Sequence, residues 1–353
     1  MILAAALLYL PSAQAISAEK AIVLDALTGQ VLYEKRADER SLVASCTKIM
    51  TAILVCENCN ALECVTVPKE AVAVEGSSMY LQEGEVLSVQ ELLYGLMLSS
   101  GNDAAVALAL HCAGSVEAFA ERMNEKAHYL GMKNSHFVNP HGLDAKEHYS
   151  TARDLAVLAA YAMENPVFSA TVGAKTVRIG NRVLQNHNRL LWQLPDAEGV
   201  KTGFTKAAGR ILVSSAKRQG RRLICVTIHD PHDWADHRNL LEDGFSQYEM
   251  KTLIHAGQVL GRLPVFGGIG EWVAVEAAED FSWAVTKNEK ISVALPIQGP
   301  SFAPVVEGAC AGYAYILVDG KPAGKVAIQY CETIEQQPGR DKTLLERLLE
   351  RIL

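Results

Sequence analysis

Ala44-Ser45-Cys46-Thr47-Lys48-Ile49-Met50-Thr51 is the stretch on which the fold and function of this chain depend. It places Ser45 three residues before Lys48, and the apolar run that continues to Val55 is typical of a helix. Side chains three residues apart on a helix lie on one face, about 5–6 Å apart at Cβ. A serine becomes nucleophilic when a base takes its proton, and a desolvated lysine with a lowered pKa can be that base. Taken alone, the spacing is much more often that of an ordinary solvated pair on a helix.

Two later stretches supply the polar residues that a Ser-x-x-Lys nucleophile needs. Residues 99–103 read Ser-Ser-Gly-Asn-Asp and contain a Ser-x-Asn triplet, and residues 199–205 read Gly-Val-Lys-Thr-Gly-Phe-Thr and contain Lys-Thr-Gly. Ser-x-x-Lys, a Ser-Asp-Asn type triplet and Lys-Thr-Gly, in that order, form the motif set of penicillin-binding proteins and class A β-lactamases. The three motifs together predict a serine enzyme and disfavour a chance pair.

Length, composition and net charge limit the classes of protein to which the chain can belong. The chain has 353 residues, of which 49% are hydrophobic and 21% are charged, which is ordinary for a globular protein large enough for two domains. The net charge of −7 gives no indication of a nucleic-acid partner. The apolar run 2–10 is followed by Ala13-Gln14-Ala15, a small-x-small pattern that predicts a signal peptide over 1–15 and export of the chain, although no basic residue precedes the run.

Cysteine and histidine clusters raise the question of a metal. The clustered Cys56, Cys59 and Cys64 have no fourth ligand at a suitable spacing, and the His/Asp-rich segment 229–237 has neither thiolates nor a His-Glu-x-x-His pattern. We therefore predict neither a metal nor another cofactor. Cys112 lies in an apolar run and is expected to be a small buried hydrophobe, and no disulfide pairing can be assigned from the sequence.

The order of elements predicts an α/β domain over 16–256, in which an antiparallel sheet is flanked by helices. Strand-like runs stand at both ends of this region, a hairpin at 21–34 and strands at 210–216 and 222–228, with helices between them. Ser88-Val89-Gln90-Glu91 is a capping box that opens one of those helices, and Ser150 or Thr151 caps another. Trp192 and Trp234 are expected to be packing residues.

The C-terminal part differs in composition. Short strand-like runs, the last two joined through Asp319-Gly320, predict a small all-β domain over 257–335. Residues 336–353 are read as a linker and a short amphipathic helix with an apolar stripe, and four basic against three acidic residues from 340 to 353. This helix could lie on a membrane surface or pack against protein.

With these motifs in view, the chain resembles the D-alanyl-D-alanine carboxypeptidases, the low-molecular-mass penicillin-binding proteins. The resemblance extends over nearly the whole chain and includes Asp25-Ala26-Leu27-Thr28-Gly29 and Asn139-Pro140-His141-Gly142-Leu143 besides the three motifs. Gly101 stands where the Ser-Asp-Asn pattern has Asp, and Phe204 where relatives often have His or Tyr. The resemblance implies a transpeptidase-like catalytic domain and removal of the terminal D-alanine from peptidoglycan stem peptides, with inhibition by β-lactams.

The resemblance also implies a role for each motif residue. Ser45 would be acylated with Lys48 as its base, Ser100 would relay a proton to the leaving amine with help from Lys201, and Asn102 would orient Lys48. The substrate-binding strand would comprise Lys201, Thr202, Gly203, Phe204 and Thr205, on a sheet edge where a peptide can lie, with the Lys201 cation and the threonine hydroxyls facing the terminal carboxylate. The backbone N–H groups of Ser45 and Phe204 would form the oxyanion hole. His141 is interpreted as a turn residue satisfied by backbone.

Alternatives remain open at this point. A class A β-lactamase would need a carboxylate-activated water, and the segment between Ser100 and Lys201 resembles the carboxypeptidases instead. Endopeptidase action on cross-links uses the same chemistry, and a non-enzymatic penicillin-binding scaffold would be expected to lose Ser45 or Lys48, which are both present. The expected location is extracytoplasmic, with peripheral membrane contact through 340–353.

Overall fold

A computed structural model describes residues 16–286, 289–295 and 301–338 of the chain. Contacts divide the chain into two units, Met1–Phe245 and Ser246–Leu353. The expected division after residue 256 falls inside the second unit, because strand Glu249–Ile254 pairs with strand Phe281–Val285 of that unit. The predicted signal peptide over 1–15 and the predicted C-terminal helix lie outside the described residues.

A five-stranded antiparallel sheet organises the first unit. Its order is β2-β1-β9-β8-β7, which makes β7 its last strand in the described structure. The strands are β1 (Lys20–Asp25), β2 (Val31–Lys35), β7 (Ala197–Thr205), β8 (Gly209–Arg218) and β9 (Arg221–Ile228). Two small two-stranded antiparallel sheets complete the described strands of this unit: β3 (Cys64–Thr66) with β4 (Val86–Ser88), and β5 (Thr176–Ile179) with β6 (Arg182–Gln185).

Both faces of the sheet are buried, as the apolar character of its strands requires. Ile22 and Ile224 belong to the large core under the main group of helices, whereas Val23 and Cys225, one residue further along each strand, pack with Leu240 of the last helix. This alternation follows from the two-residue period of a strand. The helices are α1 (Lys48–Asn58), α2 (Lys69–Val72), α3 (Val89–Leu98), α4 (Asn102–Ala113), α5 (Val116–Tyr129), α6 (Ala152–Met163), α7 (Pro166–Gly173), α8 (Leu190–Gln193) and α9 (Asp233–Gln247).

Local capping signals fix where two helices begin. Ser88 and Glu91 form the predicted capping box of α3, each side chain bonding the other residue's backbone N–H. The Thr151 hydroxyl accepts from the Asp154 N–H at 3.0 Å and caps α6. The expectation for Cys112 is wrong, because Cys112 forms a disulfide with Cys59 that joins the ends of α1 and α4.

The second unit is built from strands, with its own apolar cores. A six-stranded sheet has the order β14-β16-β17-β12-β11-β15, and β10 pairs with β13. The predicted turn at Asp319-Gly320 joins β16 to β17, with both residues at positive φ. The strands are β10 (Glu249–Ile254), β11 (Val259–Phe266), β12 (Trp272–Ala277), β13 (Phe281–Val285), β14 (Ile291–Ala294), β15 (Ser301–Phe302), β16 (Cys310–Val318) and β17 (Lys321–Tyr330).

Within the described ranges, no single helix is both long and apolar enough to cross a bilayer, and two bent helix pairs pass that test only jointly.

Candidate active site

The Ser-x-x-Lys motif lies at the start of α1, with a difference from the expected helix. Residues Ala44–Thr47 form one turn of 3-10 helix, and the α-helix itself begins at Lys48. Ala44 has a φ of 46°. The turn leaves Ser45 half-buried while its neighbours Cys46 and Thr47 are fully buried. The serine is therefore the residue of this turn that the solvent can reach.

Lys48 is entirely buried and its side-chain nitrogen is held by three oxygens. Nζ lies 3.0 Å from Ser45 Oγ, 2.7 Å from Asn102 Oδ1 and 2.7 Å from the His141 carbonyl oxygen. Burial, and secondarily the positive charge of Lys201, hold the pKa of Lys48 well below its usual value. A lysine with a lowered pKa, in hydrogen-bond contact with a serine hydroxyl, has the geometry of a nucleophile and its base.

Asn102 is fixed by contacts on both ends of its amide. Its Oδ1 accepts from Lys48, and its Nδ2 donates to the Glu75 carbonyl at 2.6 Å. The next residue, Asp103, accepts from the N–H groups of Met79 and Leu81, each at 3.1 Å. Asp103 thereby holds the loop between α2 and β4 against the start of α4. None of the three motifs assigns Asp103 this role, although an acidic residue in the first turn of a helix is well placed to contact backbone N–H groups.

Ser100 has a backbone conformation that non-glycine residues rarely adopt. Its φ is 58°, and the residue is 5% exposed. A Cβ on Gly101 would stand 2.6 Å from Asp103 Oδ1, so the contacts of Asp103 explain why glycine replaces the Asp of the usual triplet. Ser45 and Ser100 line the same cavity.

Lys201 is buried beneath the nucleophile turn. It is 1% exposed, its Nζ donates to the Thr202 carbonyl at 2.9 Å, and burial lowers its pKa to about 8. Burial also raises the pKa of the Cys46 thiol to about 12. Cys46 is thus a protonated packing residue.

The rest of the Lys-Thr-Gly strand forms one wall of the cavity. As predicted, this strand, β7, stands at the edge of the described sheet. A Cβ on Gly203 would lie 3.2 Å from the Val43 carbonyl oxygen, so the glycine admits the nucleophile turn itself. Phe204 is 65% exposed at the cavity. Thr205 is turned elsewhere, since its hydroxyl donates to Asp144 at 3.1 Å and accepts from the Ala208 N–H at 3.0 Å.

The loop 139–148 packs against the nucleophile turn from the other side. Asn139 closes it by accepting from the Gly142 N–H at 2.7 Å. Gly142 has a φ of 86°, and a Cβ there would stand 1.9 Å from the Ala44 carbonyl oxygen. His148 Nδ1 accepts from the Val138 N–H, which leaves Nε2 to donate to Thr47 Oγ1 at 2.8 Å.

His141 contacts Lys48 through its backbone carbonyl, while its ring bonds within the loop. Its ring Nδ1 accepts from the Leu143 N–H at 3.2 Å, as expected for a turn histidine. Burial, then the charge of Lys48 and His148, lower its pKa to about 4. Its contribution to the site is the carbonyl oxygen that holds Lys48, and His148, which the sequence did not single out, holds Thr47.

A cavity of about 970 Å³ opens over Ser45 and Ser100. The expectation for Trp192 and Trp234 is wrong in part, because both line this cavity and Trp192 is 46% exposed. Further lining residues come from β6, α8, β8 and α9: Val183, Gln185, Asn186, His187, Arg189, Gln193, Arg210, Ile211 and Asp233.

In the His/Asp-rich segment 229–237, the carboxylates and the His237 ring contact different partners. Asp233 pairs with Arg210, whereas Asp230 and Asp236 accept from the Ser17 hydroxyl. His237 contacts the hydroxyls of Ser214 and Thr227. No group of three or more potential metal ligands occurs among the residues that the structure describes.

Comparison with known proteins gives consistent matches over both units. The family model described as D-alanyl-D-alanine carboxypeptidase matches residues 9–232, and that of the penicillin-binding protein 5 C-terminal domain matches residues 248–336. The chain is 33% identical over 320 residues to D-alanyl-D-alanine carboxypeptidase DacF of Bacillus subtilis, covering 86% of this chain and 82% of the relative. It is 33% identical to DacC of Escherichia coli, covering 92% and 86%. Penicillin-binding protein 5 from Haemophilus influenzae superposes with a TM-score of 0.80 at 30% identity, covering 91% of this chain and 98% of that one.

Proposed function

The chain belongs to the D-alanyl-D-alanine carboxypeptidase family of penicillin-binding serine peptidases, and from this premise we propose that it removes the terminal D-alanine of peptidoglycan stem peptides through an acyl-enzyme on Ser45. The observation that carries the assignment of Ser45 is its contact with Lys48. The lysine is buried, its pKa is lowered, and it lies 3.0 Å from the serine hydroxyl.

The reaction begins with proton transfer inside this contact. Neutral Lys48 takes the proton of Ser45 Oγ as the oxygen attacks the carbonyl carbon of the D-Ala–D-Ala peptide bond. The backbone N–H groups of Ser45 and Phe204 stabilise the negative oxygen that forms, at about 2.7–4 kcal/mol per donor. Breaking the carbon–nitrogen bond then requires a proton on the leaving amine, and Ser100, which lines the same cavity as Ser45, relays it. Water hydrolyses the resulting ester and regenerates Ser45.

Substrate recognition uses the edge of β7. An extended peptide can add to an exposed strand edge through main-chain hydrogen bonds. Thr202 and Gly203 form the wall of the cavity next to Ser45, so a peptide lying along them would place its scissile bond over the nucleophile.

A product assay tests this proposal. A stem pentapeptide incubated with the protein is expected to lose one D-alanine and yield the tetrapeptide, and Ser45→Ala should release none. Hydrolysis by Ser45→Ala at the wild-type rate would contradict the assignment of the nucleophile. The family and its relatives do not favour cross-link cleavage or a non-enzymatic scaffold as the main function, and cross-linked muropeptides in the same assay measure any endopeptidase contribution.

We also propose an extracytoplasmic location, supported by the substrate class and by the signal-peptide pattern over 1–15. Peripheral membrane contact through 340–353 is a further proposal, since the apolar stripe there would lie in the interface. The net charge of this segment is only +1, so attraction to anionic lipid adds little. Liposome flotation with and without residues 340–353 tests the contact: equal flotation of both forms would leave the segment without a membrane role.

A further inference from the structure

Two buried carboxylates, Asp230 and Asp236, form an acidic pair that the proposed reaction does not use. Asp230 is 0% exposed and Asp236 is 8% exposed. Neither forms an ion pair with a lysine, arginine or histidine in the part of the chain that the structure describes. A buried charge is costly unless it is paired and hydrogen-bonded, so the acidic pair calls for a positive partner.

The hydroxyl of Ser17 joins the two carboxylates but cannot satisfy both. Its Oγ lies 2.5 Å from Asp230 Oδ1 and 2.9 Å from Asp236 Oδ2, whereas a hydroxyl has a single proton to donate. Asp230 Oδ2 is buried and has no hydrogen-bond partner among the described residues. The nearby Thr227 hydroxyl contacts the His237 ring. The acidic pair therefore lacks hydrogen-bond donors as well as a cation.

The negative charge of the acidic pair affects the groups around it. Burial raises the pKa of Asp230, and the charge of Asp236 acts in the same direction, against the hydroxyls of Ser17 and Thr227. Burial, followed by the charge of Asp236, also raises the pKa of the Tyr33 hydroxyl. A cation bound here would relieve this mutual repulsion.

The chain segment that begins at Ile16 is fixed against the acidic pair. The Ser17 N–H donates to Asp236 Oδ2 at 2.6 Å, and Ile16 packs against the second apolar core of the first unit. Lys35 Nζ donates to the carbonyl oxygens of Ile16 and Ala18. Because one residue spans at most about 3.6 Å, the Ile16 nitrogen lies within about 6 Å of Asp236 Oδ2. A positive charge within about 4–6 Å stabilises an ionised carboxylate.

We propose that the α-ammonium group of Ile16, formed when the leader is cut after Ala15, binds to the acidic pair of Asp230 and Asp236. The cut is a hydrolysis by a leader peptidase, in which water adds across the Ala15–Ile16 peptide bond and leaves a carboxylate on Ala15 and an ammonium on Ile16. The ammonium supplies the missing charge and three N–H donors. This inference rests on the predicted cleavage after Ala15 and is independent of the carboxypeptidase reaction.

A bound N-terminus makes removal of the leader a stabilising step. Before cleavage the Ile16 nitrogen is an uncharged amide, and afterwards it carries the charge that the acidic pair lacks. The other explanation is that one carboxyl of the pair keeps a proton and donates it to Ser17, in which case the first residue contributes no charge.

Three chains that differ only before Ser17 separate these explanations. One begins with a free Ile16, one with Nα-acetylated Ile16, and one carries a glycine and a serine before Ile16, which moves the ammonium by up to about 7 Å. At pH 7 the free Ile16 chain should melt roughly 5–10 °C above the other two, as expected when a buried charge loses its partner. Calorimetry of the first unit measures this. Hydrogen exchange of residues 17–25 should be slowest in the free Ile16 chain.

The Asn variants of the acidic pair test the charge itself. In Asp230→Asn and in Asp236→Asn, the difference between the free and the acetylated chain should shrink to less than half. Asp196→Asn is the matched control, because Asp196 pairs with Arg218, and it should keep the whole difference.

Equal melting and equal exchange in the three chains would overturn the proposal, as would a difference that persists in both Asn variants of the acidic pair. If those variants do not fold, the exchange of residues 17–25 in the three wild-type chains still decides. N-terminal sequencing of the protein exported by a bacterial host should find Ile16 first, and any other first residue would contradict the proposal. Loss of the carboxypeptidase assignment would leave these measurements unaffected.

Discussion

Two buried lysines set the protonation state of the active site. Lys48 contacts Ser45, and the charge of Lys201 adds to burial in lowering the pKa of Lys48. A lower pKa means that more of Lys48 is neutral at a given pH, and only the neutral amine can accept the serine proton. Lys48 therefore affects acylation as the proton acceptor, and Lys201 affects it by lowering the pKa of Lys48.

Removing the base should slow acylation strongly. Lys48→Ala is expected to slow acylation by a β-lactam by about 10²–10⁴-fold, which is what proton transfer by a positioned group supplies. Stopped-flow acylation kinetics measure this, and Lys48→Met, which fills the same space without an amine, controls for packing. Acylation of both variants at near the wild-type rate would require another base.

Removing the positive charge of Lys201 should shift the pH profile of acylation without abolishing the reaction. Lys201→Met eliminates a positive charge that disfavours protonated Lys48, so the pKa of Lys48 should rise and the acid limb of the acylation profile should shift to higher pH. Because the pKa of Lys201 is about 8, the shift should be seen below that pH. Lys206→Met, at an exposed lysine of the following turn, is the control. An unchanged acid limb would show that burial alone lowers the pKa.

The packing of the loop 139–148 against the nucleophile turn depends on one glycine, Gly142. Gly142→Ala would place a Cβ 1.9 Å from the Ala44 carbonyl oxygen, at a φ of 86°. Displacing the turn should cost up to about 10²-fold in acylation, since an error of about 1 Å in a reacting group has that effect. The comparison is Gly131→Ala, which has a similar φ of 72° and open space around the added Cβ.

Gly142→Ala and Gly131→Ala both place an alanine at a positive φ, but only Gly142→Ala brings the added Cβ against the Ala44 carbonyl oxygen. Both should lose some stability in thermal unfolding, and only Gly142→Ala should lose acylation rate beyond the change in folded fraction. Equal rates in the two folded variants would mean that the loop does not position Ser45.

Sequence patterns predicted the features that depend on residues close together in the chain. The capping box at Ser88 and the Ser45–Lys48 pair each involve residues three apart, and both were identified. The signals for α7, an Asn165 cap followed by Pro166, are equally local, although no helix is predicted there above. The His141 contact to Lys48 could not be predicted, because it is made by a backbone carbonyl 93 residues away and a carbonyl has no side-chain signature. The pairing of Cys59 with Cys112 depends likewise on the packing of α1 and α4.

At the scale of the whole molecule, buried neutral histidines link stability to pH. Burial lowers the pKa of His237 to about 3, and burial followed by the charge of His136 lowers that of His148 to about 4. Both are nearly or fully buried. In the unfolded chain each takes up a proton below about pH 6.5, whereas the folded state keeps it neutral, so the free energy of unfolding falls as the pH drops from 6.5 towards the folded pKa.

The expected loss is about 2 kcal/mol per histidine between pH 7 and pH 5. Urea unfolding at pH 7 and pH 5 measures it. His237→Gln, which retains a polar group for Ser214 and Thr227 but does not titrate, should reduce the pH dependence by about that amount. The same dependence in wild type and variant would show that His237 does not stay neutral in the folded state.

The whole mechanism depends on acylation of Ser45, which intact-mass analysis after treatment with penicillin, followed by peptide mapping, measures. We expect one adduct per chain with the mass of the opened penicillin, located on Ser45, and no adduct on Ser45→Ala. An adduct on any other residue, or an unmodified wild-type protein that is folded, would contradict it.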